Sequence, residues 1–426
     1  MKTPVLILLA SVLAAHAEVR TMTLREAVQR ALKQNPDLIL ARLDLLRSQY
    51  AVTIAKDPFV PKVYGGSGAA WTTGYPASIN GQPPSIFEAR TDMSIFNRQQ
   101  SYGVAQARET ARGAEISVAR QQDDAAYQTA ALYIDAQQTA DMLDVARKQV
   151  GSLEKVQENV RARVAEGREL DIQGKRAALN VARSRQRVED LEADLESAQR
   201  SLAVILGFGP EDRIQTTGDA APALNDLPVT EEAATNQALE NNKELRVLQS
   251  RMQGKTLEIK GYKAARLPQI GLVAQYNLLG KYNFQDFLAK FQHNNAQLGA
   301  YFTIPLLVGS APKAYIGQNE ADLERLRTQT EQVRNRIALD TRRSFLQLRK
   351  AGTARNVARL DLDVAREQLS VLLAQYDEGR ATVADVEQAR VQENDKWMAY
   401  YDAGHALEKV KLDLLHQTGL LTASLR

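Results

Sequence analysis

The sequence contains no cysteine. That absence excludes a disulfide framework, a thiolate metal site, a cysteine nucleophile and a lipid-bearing N-terminal cysteine. Proline is missing from two long runs, between Asn97 and Pro210 and from Pro312 to the C-terminus, so nothing there forces a helix to break. Outside the N-terminus, no stretch approaches the ~18 continuous apolar residues of a membrane-spanning helix. If the chain crosses a bilayer, it does so as a barrel. Net charge is also nearly absent. The 54 basic and 51 acidic residues are interspersed, which speaks against a nucleic-acid surface. Histidine numbers only four, and His293, His405 and His416 are spaced so that none forms a ligand pair. Gly65-Gly66-Ser67-Gly68 lacks the Lys-Ser/Thr and the following helix of a phosphate loop. No triad, Walker loop or paired-carboxylate pocket is visible, so the sequence implies no enzyme, cofactor or metal.

Residues 1–17 read as a secretory signal, with Lys2, an apolar run from Val5 to Ala15, and Ala15-His16-Ala17 before Glu18. The mature chain then repeats itself. Residues 22–63 match 229–270 at an offset of 207, with Ala31 on Ala238, Asn35 on Asn242, Leu38 on Leu245 and Pro61 on Pro268. Further on the offset is 212, with Glu166-Gly167-Arg168 on Glu378-Gly379-Arg380 and Gly207 on Gly419. A unit of this length is a duplicated half and not a solenoid repeat. The expected halves are 18–207 and 229–419, joined by a Pro-containing linker at 208–228 and followed by a tail at 420–426.

Helices are expected over about 24–57, 100–166 and 170–206, and again over 230–264, 312–378 and 381–418. Leu143, Ala146, Val150, Leu153, Gln157, Val160 and Val164 alternate spacings of three and four, a coiled-coil seam. The same seam at the offset of 212 reads Arg355, Ala358, Leu362, Ala365, Leu369, Leu372 and Tyr376. A second stripe of Val357, Leu360, Val364, Val371 and Ala374 runs beside it, so that helix needs neighbours on two sides. Gly167 and Gly379 end these helices and begin antiparallel partners, which makes two helical hairpins.

Strands are expected at about 62–73, 86–96, 268–279 and 295–304. In the third, Ile270, Leu272, Ala274, Tyr276 and Leu278 alternate with polar or small residues, and the fourth alternates in the same way through Leu298, Ala300 and Phe302. A ~10-residue strand with one apolar and one polar face suits a transmembrane barrel with a wet lumen, although a soluble sheet under helices also alternates. Aromatics favour the membrane, since 16 of the 25 Phe, Tyr and Trp residues fall in 59–103 and 262–315, as interfacial girdles would place them. Four strands cannot close a barrel, so several copies must share one.

The order helix, two strands, long helix and return helix, given twice behind a signal, resembles the TolC-like outer-membrane efflux proteins along the mature chain. The residues that carry the resemblance are Thr23-Leu24-Arg25-Glu26-Ala27, Asn35-Pro36-Asp37-Leu38, Pro61 and Pro268 before the strands, Ile304-Pro305-Leu306-Leu307 after the last strand, and the Gly-Arg turns at 167 and 379. The first copy departs from it, with Ser94-Ile95-Phe96-Asn97 where a proline is common. The resemblance implies an α+β membrane protein in which a homotrimer forms a 12-stranded transmembrane β-barrel continued by a 12-helix periplasmic coiled-coil tube. It implies a passive export duct in the outer membrane, contacting outer-membrane lipid, with a periplasmic adaptor and an inner-membrane pump docked at Gly167 and Gly379. It further implies a periplasmic gate at Tyr376, Arg380 and Asp385, with Arg168 and Asp171 as first-copy counterparts. Ordinary solvated tip charges are the alternative for these five. A periplasmic coiled-coil adaptor or structural protein is the alternative for the whole chain, but it would not duplicate lipid-patterned strands.

Overall fold

The computed structural model describes residues 18–68, 85–217, 227–279 and 294–424. Outside these lie the expected signal, residues 69–73 of the first expected strand, nearly all of the connections 74–86 and 279–294, residues 218–226 of the linker and the last two residues. The chain divides into two compact units: Met1–Leu40, Ala119–Asn242 and Arg334–Arg426 form the first, and Ala41–Val118 with Lys243–Val333 the second.

In the first unit, strand β1 (Val19–Met22) pairs in parallel with β4 (Arg213–Thr216), a short sheet that sequence periodicity does not reveal. Helix α1 (Leu24–Gln34) starts on a capping box: the Thr23 hydroxyl accepts from the Glu26 amide at 3.2 Å, and the Glu26 carboxylate accepts from the Thr23 amide at 2.9 Å. It stops at Asn35, whose backbone is extended (ψ 126°) because the residue before a proline avoids the helical region. The Asn35 side chain then accepts from the Leu38 amide at 3.1 Å, and α2 (Pro36–Lys56) restarts with proline in its first turn. In the second copy, α5 (Glu231–Asn241) breaks at Asn242 before α6 (Lys243–Ala264). Each segment expected as one helix, 24–57 and 230–264, is therefore two.

The long helices are α3 (Arg98–Ala165) and α7 (Ala311–Asp377), with return helices α4 (Asp171–Ile205) and α8 (Val383–Thr418). Gly167 and Gly379 adopt left-handed backbones (φ 70° and 73°) past the ends of α3 and α7, which an L side chain disfavours. The next amide bonds back to the carbonyl five residues earlier, Arg168 to Arg163 at 2.8 Å and Arg380 to Gln375 at 2.7 Å, so both turns are Schellman motifs.

The core of this unit gathers Ala27, Val28 and Ala31 of α1, Ala126, Ala130 and Tyr133 of α3, Leu202 and Leu206 of α4, Ile214 of β4 and Leu412 and Leu415 of α8. The Tyr133 hydroxyl donates to the Met22 carbonyl at 3.1 Å and accepts from the Thr217 amide at 3.2 Å, which fastens the short sheet to α3. Residues 420–426, expected as a tail, instead include helix α9 (Leu421–Ser424), because Leu421 is buried in that core. Within the seam on α3, Leu143, Ala146, Leu153 and Val160 are buried. On α7, Leu362 and Ala365 are buried, while Val357, Leu360, Val364 and Val371 of the second stripe stand exposed.

The second unit holds an antiparallel sheet in the order β2-β3-β5-β6: β2 (Lys62–Gly68), β3 (Ser85–Asn97), β5 (Gln269–Leu279) and β6 (Asn294–Thr303). Its register aligns the residue types across strands. Val63, Thr91, Ala274 and Leu298 form one row, and Tyr64, Arg90, Gln275 and Gln297 the next. One face thus carries Val63, Ala89, Leu272, Ala274 and Leu298, and the other carries Lys62, Glu88, Arg90, Asp92, Gln275 and Gln297 together with Tyr64 and Val273. Helix α6 is tied to α7 here by Lys255, whose ammonium reaches Asn319 at 2.8 Å, Glu258 at 3.1 Å and Asp322 at 3.2 Å. Among the described residues, no helix is long and apolar enough to cross a membrane.

Candidate functional site

Two features of the chain carry functional meaning. The first is the sheet, in which apolar side chains stand exposed on one face while two polar ones on the other are buried. Apolar Val63 and Leu298 are 78% and 77% exposed, whereas polar Glu88 and Asn277 on the opposite face are 8% and 6% exposed. The Gln275 side chain donates to Glu88 at 3.2 Å and to Asn277 at 3.3 Å, which knits the polar face together. Water favours the opposite arrangement, since exposed apolar area is unfavourable in water and buried polar groups need partners. Exposed apolar side chains on one face and hydrogen-bonded polar ones on the other suit a barrel wall between lipid and a wet lumen.

The second feature is the pair of hairpin turns in the first unit. Polar contacts join α3 to α8 along their length: His416 to Asp124 at 3.0 Å, Gln138 to Asp402 at 2.9 Å and Arg390 to Ser152 at 2.8 Å. Next to the turns the line ends on α3 and α7, where the Arg163 guanidinium donates to the Tyr376 hydroxyl and stands 5.3 Å from the centre of its ring. Sequence patterning does not single out Arg163. Its counterpart at the offset of 212 is Gln375, so the repeat gives no signal for it.

The five expected gate residues do not bond to one another. Tyr376 takes Arg163, and Arg380 and Arg168 each pair within their own turn, with Glu378 and, at 3.3 Å, with Glu166. Asp171 pairs with Lys175 at 2.8 Å, one helical turn on, and that contact raises the lysine pKa. Asp385 completes a capping box. Thr382 donates to it through its hydroxyl at 2.7 Å and its amide at 2.9 Å, and these bonds hold its carboxyl below the ordinary value, the hydroxyl contributing most. The sequence signal for this role is the spacing Thr382-x-x-Asp385, which the resemblance to a gate overlooks. Nearby Glu387 shifts the other way, pushed up first by burial and then by the Glu169 carboxylate of the other turn. Among the described residues, no group of three or more His, Asp or Glu is placed to hold a metal.

The model of the outer membrane efflux protein family matches residues 27–208 and 234–416, covering both copies. The chain belongs to the outer membrane efflux protein family. The curated relative BepC of Brucella suis, an outer membrane efflux protein, is 25% identical over 419 residues, spanning 94% of this chain and 86% of the relative. The structure of the CmeC outer membrane channel of Campylobacter jejuni superposes with a TM-score of 0.77 at 12% identity, covering 93% of this chain and 85% of that one. The open-state MtrE channel of Neisseria gonorrhoeae gives 0.74 at 14% identity, covering 93% and 88%. These two likenesses establish the fold. This efflux protein is an outer-membrane export duct with a large periplasmic extension, and its family is one of transport channels rather than enzymes.

Proposed function

We propose that three copies of this efflux protein close a 12-stranded barrel and continue it as a 12-helix periplasmic tube, which receives cargo from an inner-membrane pump through a periplasmic adaptor. The observation that carries this reading is the open sheet. Among the described residues, strands β2 and β6 each lack a neighbour on one side, and unpaired backbone groups are not tolerated in hydrocarbon, so the edges must meet those of other copies. The family's trimeric form sets the number at three. The adaptor and pump dock where the chain turns at Gly167 and Gly379. Native mass measurement of the detergent-extracted protein is expected to give three protomers, and any other count overturns the reading.

The same turns form the gate of the proposed duct. Tyr376 and Arg380 restrain the end of α7, and three copies of Asp385, with Asp171 and Arg168 beside them, set the charge around the axis. Like charges on one narrow axis repel one another and attract counter-ions. In single-channel recordings, Tyr376→Phe with Arg380→Ser is expected to raise conductance, and Asp385→Ala to lower cation selectivity and divalent block. Unchanged conductance, selectivity and block in both variants would move the gate elsewhere.

A further inference from the structure

We infer that the loop after β6, at Leu306 and Leu307, clasps the C-terminal end of the apolar stripe of α2, at Ile54, and Val60 before β2 on a second copy of this chain; the inference rests on the shared barrel proposed above. The two leucines are 90% and 95% exposed, and they follow the end of β6 by three and four residues. At the opposite edge of the sheet, Val60 precedes β2 and is 52% exposed. Along α2 the side chains of Leu43, Leu46, Tyr50 and Ile54, at spacings of three and four, are exposed on one face of that helix. Each edge therefore ends in an uncovered apolar patch, and contiguous patches of this kind mark interaction sites.

Topology says what covers them. The strands run β2-β3-β5-β6 with every neighbour antiparallel, so β2 and β6 point in opposite directions. When β6 of one copy pairs with β2 of the next, that pair is antiparallel as well. The last residues of β6 then lie beside the first residues of β2, and the chain after Thr303 lies beside the chain before Lys62. Leu306 and Leu307 meet Val60 and Ile54 of the neighbouring copy. Within one copy this contact is excluded, because the two outer strands are three interstrand spacings apart, about 14 Å, well beyond disulfide reach.

The cysteine-free sequence makes the test direct. The double variant Val60→Cys with Leu307→Cys, oxidised in outer membranes, is expected to give covalent dimers and trimers on a non-reducing gel, while each single variant stays monomeric. A second pair, Lys62→Cys with Thr303→Cys, reports strand pairing alone. Cross-linking of the strand pair without the loop pair overturns the clasp and leaves the leucines facing lipid or water. Failure of both pairs overturns the clasp, and with a particle that is not trimeric it overturns the barrel reading beneath it as well.

Discussion

The two copies of the repeat share their turns and differ in how they secure the elements on either side of them. Both turns rest on Glu-Gly-Arg with a left-handed glycine and the same backward amide bond. After the second turn, α8 starts on the Thr382–Asp385 capping box, whereas after the first, α4 starts at Leu170, which offers no side-chain cap. At the other end of the repeat the advantage reverses. Helix α1 has the Thr23–Glu26 box, and α5 has only Thr230 accepting from the Ala233 amide at 3.2 Å. In the sheet, β3 of the first copy carries Glu88, Arg90 and Asp92 on the polar face, while β5 and β6 offer Gln275, Asn277 and Gln297. Duplication preserved the backbone geometry, which local sterics fix, and let the side chains at each junction diverge.

The largest expected effect contrasts the two faces of the second-copy strands. Ala274→Arg puts a charge on the apolar face in mid-strand and is expected to cost roughly 2–4 kcal/mol of barrel stability. Gln297→Arg, on the polar face, is expected to cost far less because that side chain stays in water. Urea titration of the folded barrel, tracked by its shifted mobility on unboiled gels, measures both. Equal losses would mean that the apolar face does not meet lipid.

A smaller effect separates the turns. Thr382→Ala removes the side-chain acceptor at the start of α8 and is expected to cost about 1 kcal/mol locally. In hydrogen exchange this registers as roughly fivefold lower protection of the first amides of α8. Leu170→Ala is expected to leave α4 unchanged, since there is no cap to lose, and Leu170→Ser to protect its first turn. If Thr382→Ala and Leu170→Ala behave alike, the asymmetry of the caps has no energetic content.

Much of this architecture was legible because it rests on periodicity. The alternation through Ile270, Leu272 and Ala274 reports a face, and the spacing of Leu143, Ala146, Val150 and Leu153 reports a seam. The second stripe of α7, Val357, Leu360, Val364 and Val371, stands exposed among the described residues, so its expected neighbours are not part of this fold. The break at Asn35 was signalled by Pro36, yet helical periodicity continues across it and hid it. The short sheet of β1 and β4 was hidden for another reason. Its partners are far apart in the chain, and four-residue strands have too few side chains to show a period. The gate residues were placed by resemblance, and their bonding obeys local chemistry that the resemblance does not encode. Arg163 reaches Tyr376 from the other hairpin, and no spacing in either sequence copy predicts such a contact.

The smallest expected effect concerns two acids of the second turn that titrate on opposite sides of their ordinary values. Hydrogen bonds from Thr382 lower the Asp385 pKa below its ordinary 3.8, so its carboxylate supports the cap at all pH above that value. That support is lost only as pH falls through the depressed folded value. Burial, and then Glu169, raise the Glu387 pKa above its ordinary 4.5, so folding favours the protonated form. Its penalty is absent in acid, sets in as pH rises through 4.5 and is complete above the raised folded value. On acidification from neutral pH, Glu387 therefore protonates first and relieves the repulsion between the turns, and Asp385 protonates later and releases the cap. Protection of the start of α8, corrected for intrinsic exchange rates, is expected to rise and then fall across that series. Glu387→Gln should remove the rise and keep the fall, and Asp385→Asn should remove the fall and keep the rise. A single monotonic loss of protection in the unmodified protein, unchanged by either substitution, would show that these carboxylates do not govern the turn.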